Sequence, residues 1–181
     1  AGSAPSPPAE TSDRSSNGRK SHKKNKKPSA TSVSSSFVGK CSDIKEHVYD
    51  VTAGRSGFDV FVKTTREIGE YVGGKLKDAS EFRNAMDPEN LGFDVLTPPD
   101  PLTDDANVMQ VEVWKVAYKD YNDAIKRRTL LNGQVFTIVI GQCSPTILDR
   151  LKASSAWAEI NATNDLMGLL RLIRTSMYTG A

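Results

Sequence analysis

The sequence predicts an all-α helical bundle of about five to seven helices behind a disordered basic N-terminal arm. Three observations carry that reading. From Phe58 onward the apolar residues recur at spacings of three and four rather than two. Ser144-Pro145 and the pair Gly73-Gly74 punctuate those periods in the way helix starts and stops do. Residues 1–36 contain Ser, Pro, Asn, Gly and Lys with almost no large apolar side chains. A chain of 181 residues has room for one domain, or two small ones, with a substantial core.

Charge divides at the same boundary as hydropathy. Residues 1–36 hold seven basic residues against Glu10 and Asp13, a net of +5, and the remaining 17 basic and 20 acidic residues leave −3 from residue 37 to 181. The arm buries too little apolar surface to offset its ordering entropy, which predicts disorder. A basic arm on a mildly acidic body points to an anionic partner. Arg19, Lys20, Lys23, Lys24, Lys26 and Lys27 form the candidate nucleic-acid contact. Closely spaced cations on a flexible chain can follow a polyphosphate and release its counterions, a salt-sensitive interaction that reads little sequence. A nuclear import signal and a solubilising tail are the competing readings of the same cluster. No aromatic residue interleaves it, so base stacking is not indicated there. No apolar run reaches the length of a membrane span, and the two cysteines, Cys41 and Cys143, suit neither a disulfide scaffold nor a zinc site. These features predict a soluble cytoplasmic protein, with nuclear entry open through the arm, reduced cysteines and a buried Cys143.

Along the body, residues 37–51 mix β-branched and aromatic side chains without a helical period, which predicts a short strand or an extended docking segment. Phe61, Thr64, Ile68, Tyr71 and Val72 share one helical face, with Asp59 near the start of that helix and Gly73-Gly74 at its end. A shorter helix is expected over 79–86. Pro88 and Pro98-Pro99-Asp100-Pro101 then impose an extended connector. Thr103, followed by Asp104 and Asp105, reads as the cap of a long amphipathic helix through Val108, Val111, Trp114, Tyr118, Tyr121 and Ile125. Lys126-Arg127-Arg128 marks a last exposed turn or a bend, and the apolar run from Leu130 to Ile140 is assigned to continued helix at the centre of the core. Ser144-Pro145 opens a helix ending near Lys152, a brief one surrounds Trp157 and Ile160, and Thr163 or Asn164 opens the last, with Leu166, Leu169, Leu170, Ile173 and Met177 on one face.

Catalytic patterns do not accumulate. Gln142-Cys143 is the most suggestive pair, but His22 lies in the arm and His47 stands far upstream, so no base is spaced for a thiolate nucleophile. Glu67 with Glu70 and Asp120 with Asp123 have helical spacing but lack the Glu-x-x-His partners of bundle di-metal sites. P-loop, dinucleotide and nucleophile-elbow motifs are missing from the sequence. The expectation is a nonenzymatic protein without cofactor, metal or small-molecule substrate.

The body resembles the Gag-like proteins of copia-type LTR retrotransposons over roughly residues 37 to 178. Phe37-Val-Gly-Lys-Cys41 with Ile44-Lys45 and His47-Val-Tyr-Asp50 carries it first, followed by Lys63-Thr-Thr-Arg-Glu-Ile-Gly-Glu-Tyr-Val-Gly73 and Leu96-Thr-Pro-Pro-Asp100. Trp114 in its charged helix, Gly141-Gln-Cys-Ser144 and the stretch from Leu166 to Ile173 complete the series. The order of the pieces is more specific than any one of them. The resemblance implies a capsid protein that self-associates into particles around the element's RNA. A capsid-like division into two lobes would fall near 87–103 or 141–145. A departure is that this chain has no Cys-Cys-His-Cys zinc knuckle, which leaves RNA packaging to the basic arm or to a C-terminal region beyond residue 181. The expected partners are a second copy of the chain and RNA or another nucleic acid, with no membrane. Trp114, Tyr118, Tyr121 and Trp157 are the candidate assembly anchors, since aromatics are enriched at interface hot spots; ordinary core packing is the competing role of each. Lys126-Arg127-Arg128 is a further RNA-facing or intersubunit candidate beside a plain solvated face. The alternative is a nonenzymatic nucleic-acid-binding or nuclear adaptor, including a domesticated Gag.

Overall fold

In a computed structural model, residues 37–51 and 56–178 are described. The basic arm, and with it the nucleic-acid candidates from Arg19 to Lys27, lies outside the described residues. Six α-helices follow a 3-10 turn at Ser42–Ile44: α1 Gly57–Lys75, α2 Ser80–Ala85, α3 Val108–Gly141, α4 Pro145–Lys152, α5 Trp157–Thr163 and α6 Leu166–Tyr178. The all-α reading holds, and the helix count falls in the expected range.

Helix α6 is the centre of the bundle and packs against α1, α3, α4 and α5. Its Leu166, Leu169, Leu170 and Ile173 are fully buried, as the i, i+3, i+4, i+7 spacing dictates. They meet Phe61, Ile68 and Val72 of α1, Val135 and Val139 of α3, and Ile147 and Leu151 of α4 in one continuous core. Helix α2 lies on α1, where Gly69 and Gly73 allow the close approach of Met86 and Arg83. Burying side chains of this size contributes about 1.5–3 kcal/mol each before the entropy of ordering is subtracted. The described residues all fall within one compact unit, 33–181, and both stretches named above as lobe boundaries lie inside it.

Four helix ends differ from the sequence reading, each for a local reason. Helix α1 continues through Gly73-Gly74 to Lys75, because Gly73 packs against the Arg83 side chain inside the helix instead of leaving it. The left-handed residue that turns the chain is Asp78, with φ 60°. Helix α3 is capped by Asn107 and not by Thr103: Asn107 Oδ1 accepts from Gln110 N at 3.0 Å while Gln110 Oε1 accepts from Asn107 N at 2.8 Å, a reciprocal capping box. Past Lys126-Arg127-Arg128 the same helix runs on for 34 residues in all, tolerating Gly133 at about 1 kcal/mol. Finally, Asn164 closes α5 instead of opening α6. It takes φ 51°, and Asp165 N donates to Ile160 O at 3.0 Å. Asp165 then starts α6, its Oδ1 accepting from Gly168 N at 2.9 Å. Ser144 caps α4 with Pro145 at the first position, as its sequence predicts.

Because Asp165 and not Thr163 satisfies the first amides of the central helix, Asp165→Ala is expected to cost about 1 kcal/mol in urea unfolding. Thr163→Ala, which removes only an exposed bond to Glu159 O, should stay within about 0.5 kcal/mol. Equal losses would show that the α6 cap is assigned to the wrong residue.

Candidate functional site

Two regions unite the residues singled out by sequence. The first is the corner between α3 and α4, residues 141–144, onto which residues 37–51 dock as an irregular segment folded around the 3-10 turn. Lys40 N donates to Gly141 O at 3.0 Å, Tyr49 N to Gln142 O at 2.8 Å, and Ser144 N to Tyr49 O at 2.9 Å, so Tyr49 and Cys143 form an isolated parallel bridge. The Gln142 side chain is fully buried and clamps the segment from within. Its Nε2 donates to Ile44 O and His47 O, both at 2.8 Å, and its Oε1 accepts from Cys41 N at 3.1 Å. A primary amide supplies two donors and an acceptor on one planar group, and here all are matched to backbone. Gly39 lies against this amide, where a Cβ would collide with it. Gly39 is not left-handed, so the space taken by Gln142, and not backbone conformation, reserves the position for glycine.

The same segment is tied to α1. Tyr49 Oη and Thr65 Oγ1 lie 2.9 Å apart, and Thr64 Oγ1 donates to Val48 O at 3.2 Å. The tyrosine and both threonines are buried, so each hydroxyl needs such a partner. Burial pushes the Tyr49 phenol well above its ordinary range, and the bond to Thr65 only partly opposes it. Cys143 sits beside it, buried, its Sγ donating to Val139 O at 3.4 Å, and desolvation pushes the thiol up, away from a reactive thiolate. His47 O accepts from Gln142 Nε2, and the His47 imidazole approaches Glu67 Oε2 at 4.0 Å through Nε2. The Tyr71 phenol is pushed up to about 12, first by the neighbouring Cys41 side chain and then by desolvation and the nearby Asp43.

The second region is the first two-thirds of α3 and the connector 91–103 that runs beside it. Trp114 Nε1 donates to Asp100 O at 2.8 Å, and Trp114 stacks on Tyr118 at 4.9 Å between centroids and 12° between planes. Tyr118 leads on to Tyr121 at 6.3 Å. At the other end of the connector Arg128 gathers three elements. Its guanidinium donates to Glu81 Oε2 at 2.8 and 3.1 Å and to Asp94 O at 2.9 Å, and it covers the Phe93 ring at 4.9 Å. Arg171 holds Leu91 O at 3.0 Å. Of the candidate anchors, Trp114, Tyr118 and Tyr121 are thus brought together along one helix, with Tyr118 the most exposed. Trp157 is on α5, half-buried at the edge of the core and apart from them. Within Lys126-Arg127-Arg128 the roles separate, since Arg128 is committed internally while Lys126 and Arg127 are exposed.

Sequence reasoning missed Gln142, read there only as a neighbour of Cys143, and Gly39, read only as part of a motif. Their contact spans about a hundred residues, and no local period signals it. Among the described residues no cluster of three or more His, Cys, Asp or Glu is placed to hold a metal ion, and no helix is long and apolar enough to cross a membrane. Compared with known proteins, the chain matches no family model, no curated protein and no solved structure.

Gln142→Ala is expected to cost about 3 kcal/mol, because three backbone groups lose their partner in a buried place. Gly39→Ala should cost at least about 2 kcal/mol through overpacking. In the Gln142→Ala background the glycine replacement should be milder by at least about 1 kcal/mol, since the amide no longer fills the space; strict additivity would contradict the clamp. Alkaline behaviour supplies a second check. The thiol of Cys143 has an ordinary value of 9.0 and is raised in the fold, so above that pH the unfolded chain loses a proton that the folded chain keeps. Stability should therefore fall as pH rises past 9, and Cys143→Ala should flatten the loss between pH 9 and 10. An unchanged slope would show that the thiol is not held neutral by burial.

Proposed function

We propose that this chain is a Gag-like structural protein that assembles with copies of itself into particles and packages RNA, with the basic arm as a nonspecific nucleic-acid contact. The observation that supports it most is physical convergence. The segments that carry the resemblance are the segments that touch: Phe37–Cys41 and His47–Asp50 meet Gly141–Ser144 through Gln142 and Tyr49, and they meet Lys63–Gly73 through Thr64 and Thr65. Leu96–Asp100 meets Trp114 through the indole N–H. Motifs that are mutual contacts belong to one structural unit, which supports reading the series as a whole. Gln142 and Cys143 are absorbed into it, serving as interior clamp and core.

In this reading the protein acts by surfaces. The body supplies subunit contacts, and the arm neutralises phosphates and releases their counterions, so RNA affinity falls with salt and varies little with RNA sequence. A nonenzymatic nucleic-acid adaptor is favoured by one observation, the charge division of +5 against −3 at residue 36. In that reading the body is monomeric and only carries the arm.

Light scattering and negative-stain electron microscopy, with and without RNA, separate the two. A Gag-like protein forms concentration-dependent oligomers that persist when residues 1–36 are deleted, while the deletion lowers RNA affinity and its salt slope. Strict monomers at high concentration, in several salts and with RNA present, would refute the assembly reading. RNA binding unchanged by the deletion would refute the role given to the arm.

A further inference from the structure

Seven of the twelve large apolar side chains exposed among the described residues lie on residues 108–130 of α3. Scattered apolar exposure is ordinary, but this concentration on one projecting helix is not. The connector covers the side of the helix that bears Trp114 and Arg128, and the core is met only from Leu131 onward. On the opposite side, by 3.6-residue periodicity, Met109, Glu112, Val116, Lys119, Arg127 and Leu130 form one uncovered stripe, joined by Asp120 and Asp123. Met109, Val116 and Leu130 are 75, 61 and 66 % exposed.

We infer that this stripe docks on the same stripe of a second copy, antiparallel, about a two-fold axis between Lys119 and Asp120. The inference rests on the assembly reading above and names its contact. Reversing the helix about that point sets Met109 opposite Leu130, Glu112 opposite Arg127 and Lys119 opposite Asp120, each pair occurring twice. Apolar meets apolar at both ends, and every one of the charged pairings is of opposite sign. Val116 meets the position of Asp123, whose carboxylate turns back to Lys119 at 3.2 Å along its own helix. A parallel pairing in register would instead set Glu112 on Glu112 and Arg127 on Arg127, which the charges oppose. A uniformly anionic partner such as RNA is opposed by Glu112, Asp120 and Asp123. The antiparallel arrangement also leaves both cores on the outer sides of the helix pair, because the core side of α3 faces away from the stripe. Such an isologous contact pairs residue i with j and j with i, as two-fold interfaces require.

The test is sedimentation of the full chain carrying Glu112→Arg, Arg127→Glu, or both, with circular dichroism to confirm folding. Each single replacement creates two like-charge contacts and is expected to weaken self-association by about tenfold. The double replacement restores opposite charges across the axis and should return self-association to near that of the parent chain. If the chain assembles but the single replacements leave assembly untouched, or the double replacement fails to restore it, this interface is wrong while the assembly reading stands. If the parent chain is monomeric under every condition, with RNA included, the assembly reading itself falls and this interface with it.

Discussion

A single buried amide organises the molecule. Gln142 sits where α3 turns into α4, and its side chain bonds the backbone of Cys41, Ile44 and His47 in the docked segment. An irregular segment cannot be buried against a helical bundle unless its N–H and C=O groups find partners. Here the partners come from the Gln142 amide, from bonds of Lys40 and Tyr49 to the corner and from bonds within the segment such as Gly39 N to Lys45 O, and the price is that Gly39 admits no side chain. Once docked, the segment presents Tyr49 and Val48 to Thr65 and Thr64, which fixes α1 relative to the α3–α4 corner. The N-terminal segment thereby adds a second link between α1 and the α3–α4 corner, beside the packing of α1, α3 and α4 on α6.

The second constraint is the length of α3. A helix of 34 residues is about 51 Å long, longer than the core it serves. Its last third is buried against α6. Its first two-thirds are held by a proline-rich connector, and the connector needs aromatic stacking, an indole hydrogen bond and the Arg128 cluster to stay there. Such a strut buries little, so its isolated stability is low and its uncovered side is left to solvent or to a partner. Fold and proposed role meet at this point: the tight corner at 141–144 gives a rigid body, and the strut gives it a surface to share.

Much of this architecture is legible in the sequence. Helical periodicity locates α1, α3 and α6, the short α2 and α5 are expected without a period of their own, and Ser144-Pro145 locates the start of α4 to the residue. That 37–51 docks without forming an α-helix follows from its lack of period, though the 3-10 turn at Ser42–Ile44 is not legible there. What sequence does not carry is choice among equivalent local signals. Thr103, Asn107, Thr163, Asn164 and Asp165 are all acceptable caps, and the geometry of the neighbouring turn decides among them. Gly73-Gly74 has the composition of a helix stop, yet packing against Arg83 keeps it helical. The aromatic spacing in α3 suits core, connector or interface equally, and only the path of residues 91–103 separates them. Gln142 is legible least of all, because a glutamine in an apolar run reads as a surface residue until the segment a hundred positions away is placed on it.

Hydrogen exchange of the full chain, followed from dilute solution to assembling concentrations, tests the central claim of a rigid corner with a free strut. In dilute protein the amides of 39–49 and 131–144 should exchange together and slowly, and those of 108–125 much faster; on assembly the strut should slow by at least about tenfold while the corner stays unchanged. A corner that exchanges as fast as the strut in dilute protein, or a strut that stays unprotected in assembled protein, would contradict it.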